Sequence, residues 1–262
     1  MLFLLCREKK GNMLIFTSLC LLCWLQFNGV ETDEIKLGFY EESIDDMYFN
    51  CKDKMEQRVL PMYSKELKEK PYGTYWEEEK KNIIDDRILT QKELLAIRVY
   101  TENTNNVYSE FNKAVRTGGD KYDTSFKFRN LHFFLTSAIQ KLKEADKGTC
   151  YNTYRRSKGT YKLMTNEIRF GSFASSSLTP NQISYGQETC FKIETCHGAA
   201  VEQYSAYPAE REVLIPPYEK FTLVNNREVK ELNDCRTVYV LESAGRHSKL
   251  NCKLAVLFSP KL

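Results

Sequence analysis

Histidine is scarce in this chain: His132, His197 and His247 are the only three in 262 residues. No histidine accompanies the chain's serine cluster in a nucleophile-like setting, which argues against hydrolysis by an activated serine. With so few imidazoles, and no Cys-x-x-Cys spacing among the six cysteines beyond residue 50, a metal site has no support. No Gly-x-Gly-x-x-Gly opens a helix and no Walker sequence occurs, so Rossmann and P-loop nucleotide sites are disfavoured. An excess of one charge is also missing. The net charge is +3, mostly from the first ten residues, and no basic patch argues for DNA or RNA. No Asn-x-Ser/Thr sequon is present, so N-linked sugar is not expected. The C-terminal Ala255-Val-Leu-Phe-Ser-Pro-Lys-Leu262 holds only a short apolar patch, which predicts neither a terminal membrane helix nor a GPI-attachment signal.

One long apolar run does exist, Leu14 to Phe27, preceded by Arg7, Lys9 and Lys10 and followed by small and acidic residues. Fourteen residues suit a signal-peptide core better than a bilayer span. Residues 1–30 are therefore expected to be a signal peptide, cleaved near Gly29 or Val30, with Met13 an alternative start. An uncleaved signal anchor is the rival reading. Cys6, Cys20 and Cys23 would leave with the leader. Cys51, Cys150, Cys190, Cys196, Cys235 and Cys252 remain, an even number in a secreted chain, so disulfides are expected. A hydrophobic content of 42% with 13% aromatics is that of a folded, globular protein. The expected product is soluble and secreted, without a membrane anchor.

Residues 31–147 read as helical. Ser43-Ile-Asp-Asp46 resembles a helix start, and Thr90-Gln-Lys-Glu93 opens a second segment. Val107, Tyr108, Phe111, Ala114 and Val115 recur at helical spacing up to Gly118-Gly119, a C-cap signal. Leu131, Phe134, Leu135, Ala138, Ile139 and Leu142 mark the clearest helix, Asn130 to Ala145. Lys65 to Lys81 reads as a solvated helix–loop stretch. From 148 to 262 the pattern turns to short β-branched and aromatic runs: Cys150 to Tyr154, Glu167 to Phe173, Thr189 to Thr195, Glu212 to Ile215, Lys220 to Val224, Thr237 to Leu241 and Leu254 to Phe258. Helices first and strands afterwards predict an α+β fold.

Three segments of the second half carry candidate chemistry: Cys150-Tyr-Asn-Thr-Tyr-Arg155, Arg169-Phe-Gly-Ser-Phe-Ala-Ser175-Ser176-Ser177, and Glu210-Arg211-Glu212-Val-Leu-Ile-Pro-Pro217. On an extended strand Glu210 and Glu212 would face one side, roughly 7 Å apart. Taken singly, Glu-x-Glu fits a solvated strand edge, Arg155 an exposed strand residue, the serines a turn, and Tyr185 beside Gly186 ordinary packing. In this order and spacing, together with Asp45-Asp-Met-Tyr48, Glu110 to Gly119, Leu131-His-Phe-Phe-Leu-Thr136 and the Thr-Cys-His-Gly stretch within 192–198, the chain resembles the vertebrate secreted and GPI-linked ecto-ADP-ribosyltransferases of the arginine-specific R–S–E type. The likeness runs from about Asp45 to Cys252 as one continuous domain.

That resemblance implies a helical N-terminal part packed on a mostly antiparallel β-sandwich NAD-binding core. It also implies mono-ADP-ribosyl transfer from NAD to arginine side chains of extracellular or cell-surface proteins, with nicotinamide released. NAD would be a consumed substrate, with no permanently bound cofactor. Arg155 matches the arginine that grips the NAD phosphates, and Ser175 the serine that positions nicotinamide ribose and the catalytic glutamate. Tyr185 falls where a phenylalanine usually stacks on nicotinamide. Glu212 matches the catalytic glutamate, Glu210 the acidic residue tied to arginine as acceptor, and Tyr204 to Ala209 the acceptor-recognition turn. Arg156 stands in place of a usual glycine, Ala174 in place of a frequent threonine, and Arg211 where many relatives carry Glu. Either glutamate is a candidate partner for Arg211. The resemblance pairs Cys51 with Cys252 and Cys150 with Cys196, each bridge typically worth ~2–4 kcal/mol; whether Cys190 and Cys235 pair stays open. Alternatives on the same sequence are an NAD glycohydrolase and a catalytically silent secreted binding ectodomain.

Overall fold

Apolar residues recurring every three or four positions build five helices among the described residues of the first half. They are α1 (Lys52–Glu66), α2 (Tyr72–Glu79), α3 (Gln91–Thr101), α4 (Val107–Thr117) and α5 (Arg129–Ala145), with a short α6 (Lys253–Val256) near the end. A computed structural model describes residues 34–68, 72–102, 106–224 and 228–256. The expected signal peptide, 1–30, lies outside them. From Glu34 onward the chain forms one unit.

Helix α3 begins where its capping sequence says it should. Thr90 Oγ1 accepts from the Glu93 amide and Glu93 Oε2 accepts from the Thr90 amide at 2.8 Å, satisfying two orphan donors reciprocally. Helix α5 buries Leu131, Phe134, Leu135, Ala138, Ile139 and Leu142. Helix α4 ends at Gly118, whose φ of −107° is not left-handed. Glycine is needed there for space, since a Cβ would sit 2.3 Å from the Ala114 carbonyl oxygen.

Two helical expectations are corrected. Ser43 to Asp46 does not start a helix. Asp46 Oδ1 accepts from the amides of Tyr48 (2.8 Å) and Cys252 (3.0 Å), and Asp45 Oδ1 from those of Lys249 (2.9 Å) and Leu250 (3.1 Å). Spent on a distant loop, these carboxylates hold the segment in an irregular path until Lys52. Nor is Lys65 to Lys81 simply solvated: Tyr72 and Trp76 of α2 are buried in the helical core.

Among the described residues there are ten strands, one before the helices and nine after α5: β1 (Ile35–Leu37), β2 (Tyr151–Ser157), β3 (Tyr161–Leu163), β4 (Glu167–Ile168), β5 (Ala174–Ser177), β6 (Thr189–Thr195), β7 (Ala199–Ala200), β8 (Glu212–Ile215), β9 (Glu219–Val224) and β10 (Thr237–Arg246). β1 pairs with β3. The other eight form one sheet in the order β4-β9-β10-β6-β2-β5-β8-β7, antiparallel throughout except for β10 with β6. The α+β class is what the order of elements predicted. Glu167 to Phe173 is a strand only to Ile168, because Gly171 turns the chain at φ +69° against the Tyr40 ring. Leu254 to Val256 are helical, not extended, and residues 257 and 258 of that expected strand lie outside the described residues.

Between β2 and β5 the sheet nearly splits, joined by the single pair Tyr154↔Ser177. One core packs the helices against Phe173, Ala199, Val201 and Leu214. A second gathers Leu37, Phe170, Phe191, Ile193 and Phe221. Three disulfides close the frame: Cys51–Cys252, Cys150–Cys196 and Cys190–Cys235. The second follows from register, as Tyr151 pairs with Thr195 and the next residues outward are the two cysteines.

Arg169 is fully buried and meets Asp45 at 2.7 Å. It also donates to the carbonyls of Phe39 (2.8 Å), Tyr40 (2.9 Å) and His247 (3.2 Å). Replacing Arg169 by Met strands a buried carboxylate, and equilibrium urea unfolding with disulfides intact should show a loss of about 3–5 kcal/mol. A loss under about 1 kcal/mol would show that the pair does not hold this corner.

Candidate active site

The near-split of the sheet opens a cavity of about 310 Å³. Its walls come from α3 (Tyr100, Thr101), α4 (Tyr108), β2 (Tyr154 to Arg156), β5 (Ser175 to Ser177), the following turn (Gln182, Tyr185), the approach to β8 (Glu210) and the start of β8 (Glu212). All five sequence-predicted site residues, Arg155, Ser175, Tyr185, Glu210 and Glu212, meet here. Register explains part of this convergence. Ser177 pairs with Glu212 and Ser175 with Leu214; paired residues share a face and alternate residues return to it, so Ser175, Ser177 and Glu212 project together.

Glu212 is buried, only 4% exposed, at the first position of β8. Burial pushes its carboxyl up to about 7 and the neighbouring Glu210 adds to the rise, while hydrogen bonds with Ser175 and Ser205 and the charge of Arg155 oppose it. Arg155 is half-buried and donates from Nη1 to the Ser175 carbonyl at 2.6 Å. This bond crosses the split beside its single backbone pair, so the arginine both bridges the two halves and presents a permanent cation to the cavity.

Glu210 does not share the strand of Glu212, as the Glu-x-Glu spacing had suggested. It ends a 3₁₀ turn, Pro208–Glu210, and Arg211 bridges to β8 in the left-handed region at φ +48°. Such a conformation is costly outside glycine. Both carboxylates still line the cavity because that bend re-aims the chain. Glu210 is half-buried and accepts from the Tyr185 hydroxyl at 2.5 Å. Arg211 pairs with neither glutamate; its guanidinium faces Glu202 at 3.5 Å. Arg156 turns away to grip Asp234 with two nitrogens, at 2.8 and 3.0 Å, and donates to the Pro180 carbonyl at 2.7 Å. That guanidinium holds the Asp234 carboxyl down at about 2. The turn before Glu210 is bolted to α3: Arg98 donates to the Ser205 carbonyl (2.9 Å), Thr101 Oγ1 accepts from the Ala206 amide (2.9 Å), and Tyr207 donates to Glu102 (2.8 Å).

Sequence reasoning missed Tyr100, Thr101, Gln182 and the role of Tyr108, which had been read as packing on a helix face. A signal was available, because Tyr100 and Tyr108 place hydroxyls among aliphatic helix positions, and buried hydroxyls need partners. Tyr100 is buried, accepts from Asn112 Nδ2 at 3.0 Å and hydrogen-bonds with Ser175. Its ring lies 5.1 Å from that of Tyr108.

An arginine, a serine and two carboxylates around a nearly split sheet, reached from a helical cap, define an ADP-ribosyltransferase architecture. The crystal structure of the eukaryotic mono-ADP-ribosyltransferase ART2.2 has that fold: TM-score 0.72 at 26% identity, covering 86% of this chain and 100% of that one. A mutant of the same protein in complex with NAD gives 0.71 at 25% identity. A family model for NAD:arginine ADP-ribosyltransferase matches residues 37–249, and the chain belongs to that family. Ecto-ADP-ribosyltransferase 5 of Bos taurus is 34% identical over 209 residues, which cover 72% of this chain and 66% of that protein, just under two thirds. The erythroblast NAD(P)(+)–arginine ADP-ribosyltransferase of Gallus gallus is 31% identical over 233 residues, covering 84% and 76%.

The raised Glu212 carboxyl makes a stability prediction with a definite sign. Below about pH 4.5 folded and unfolded chains both hold the proton. As pH climbs toward 7 the unfolded chain has released it and the folded one has not, so stability falls until the buried group ionises. Glu212→Gln removes that dependence. Urea unfolding should show the two proteins alike near pH 4 and the variant more stable at pH 8, by on the order of 3 kcal/mol; equal stability at pH 8 would contradict the desolvation of this carboxylate.

Proposed function

We propose that this site transfers ADP-ribose from NAD to the guanidinium of arginine side chains, with release of nicotinamide. The observation that carries the reading is the meeting of a cation, Arg155, with a dry carboxylate, Glu212, in one cavity. A diphosphate calls for a fixed guanidinium, and Arg155 supplies it from β2. Tyr185, 45% exposed at the cavity edge, offers a flat face for the nicotinamide ring.

As the bond between ribose C1′ and nicotinamide breaks, its electron pair goes to the pyridinium nitrogen and positive charge grows on the ribose, an oxocarbenium-like state. Glu212, ionised, stabilises that charge, and the low-dielectric wall around it strengthens the effect. The cationic nicotinamide ring itself favours the ionised form. Ser175 bonds to Glu212 and sets its aim. An acceptor guanidinium, with a pKa above ~12, must lose a proton as its nitrogen bonds to C1′. Glu210, held beside the cavity by Tyr185, is placed to orient that guanidinium and take the proton.

The site works outside the cell on this reading, on arginines of extracellular or cell-surface proteins. Three disulfides among six cysteines suit an oxidising compartment, and the expected leader supplies a route to it. Among the described residues no helix is long and apolar enough to cross a membrane.

Purified protein with labelled NAD and agmatine, a small guanidine, tests the reading. Labelled agmatine is expected, with Glu212→Gln lowering kcat by about 10²–10³ or more and Arg155→Ala acting mainly on the KM for NAD. For the unmodified protein, kcat/KM for NAD should fall as pH drops below about 7, as Glu212 takes up its proton. Full labelling by the Gln variant removes Glu212 from its role. Free ADP-ribose without labelled agmatine assigns water as the acceptor, and no nicotinamide release leaves only a binding ectodomain.

A further inference from the structure

Glu210 is held by a segment it does not belong to. Its carboxylate accepts from the Tyr185 hydroxyl at 2.5 Å, and its carbonyl accepts from Ser177 Oγ at 2.7 Å and Gln182 Nε2 at 3.4 Å. The three donors run from Ser177 at the end of β5 to Tyr185 in the turn before β6, on the stretch that carries the ring beside the cavity. Tyr185 closes the 3₁₀ turn Ile183–Tyr185, and this turn is itself pinned. Gly186 follows at φ +124°, so close to the end of β2 that a Cβ would lie 2.4 Å from the Lys158 nitrogen, and the Glu188 amide donates to the Ser157 carbonyl at 3.0 Å. The Tyr185 hydroxyl therefore reaches Glu210 from a platform fixed to the strand that bears Arg155.

We propose that Tyr185 is a positioning residue that sets acceptor choice: its hydroxyl occupies Glu210 Oε1 and leaves Oε2 to take the guanidinium of the acceptor. This rests on the arginine-transfer reading above and adds to it a link between the two halves of the reaction. One side chain touches both sides, the ring at the nicotinamide face and the oxygen at the acid that receives the acceptor. Burial and the adjoining carboxylate push the phenol's ionisation upward, so it remains a donor throughout the neutral range. The bond also restrains a side chain that its backbone, preceding the left-handed Arg211, does not aim by strand geometry.

Tyr185→Phe keeps the ring and deletes the bond. The turn is exposed, so the variant is expected to fold. Agmatine labelling and free ADP-ribose are measured in the same reaction. The ratio of transfer to hydrolysis should fall roughly tenfold, the change expected for loss of a hydrogen bond to a charged group. The KM for agmatine should rise more than that for NAD. In a Glu210→Gln background, Tyr185→Phe should produce little further change in the ratio, which a merely structural role for the tyrosine would not predict. An unchanged ratio in the single variant overturns the proposal. So does a raised one, which would mean that the bond masks Glu210, and so does a full-size effect in the Gln background. Absence of nicotinamide release from the unmodified protein would instead defeat the underlying transferase reading, so the two failures are distinguishable.

Discussion

The buried pair of Arg169 with Asp45 ties together three parts of the chain that are far apart in sequence. Asp45 collects the amides of Lys249 and Leu250, and Arg169 collects the carbonyls of Phe39, Tyr40 and His247. Ions this dry are expensive to desolvate, and only near-complete hydrogen bonding makes such a pair tolerable. What it holds is the corner between β4 and β5. Ser43 donates to the Gly171 carbonyl at 2.7 Å and Arg116 to Ser172 at 2.8 Å, so the backbone arrives fixed at Phe173, two residues before Ser175. The serine at the site is thus positioned by a network that never enters the cavity.

The cavity gathers several features that cost the fold stability. The sheet is nearly cut between β2 and β5, a carboxylate is kept out of water, and Arg211 sits in a strained conformation. Each of these is unfavourable in isolation. They gather within one site, as expected where transition-state stabilisation needs a preorganised, low-dielectric setting. Arg155 partly offsets the cut by bonding across it to the Ser175 carbonyl. The same guanidinium that suits a diphosphate also keeps the two halves in register.

Which parts of this were legible in the sequence follows from the range of the forces involved. Helices α3, α4 and α5 were readable because capping and apolar spacing act within a few residues; β6 and β8 were readable because they are short, apolar and bounded by turns. Ser43 to Asp46 was misread because its acidic residues look like helix caps but serve amides some two hundred residues away. Glu210 was placed on a strand because Glu-x-Glu says nothing of a left-handed residue between, and Arg211 chose Glu202 over both neighbours for the same reason. The five site residues were found through family resemblance, since singly each fits an ordinary surface. Tyr100 and Tyr108 were missed because a helix period marks them as core and cannot say which core positions border a cavity.

The bridge between Cys51 and Cys252 joins residues 201 positions apart. Nearly all of the folded chain therefore lies inside one covalent ring. A protease that cleaves a single peptide bond within that ring opens the loop without releasing a fragment, and every element lining the cavity stays tethered to the rest. A nick then becomes a local lesion rather than a dissociation, and separation of the pieces requires a reductant as well.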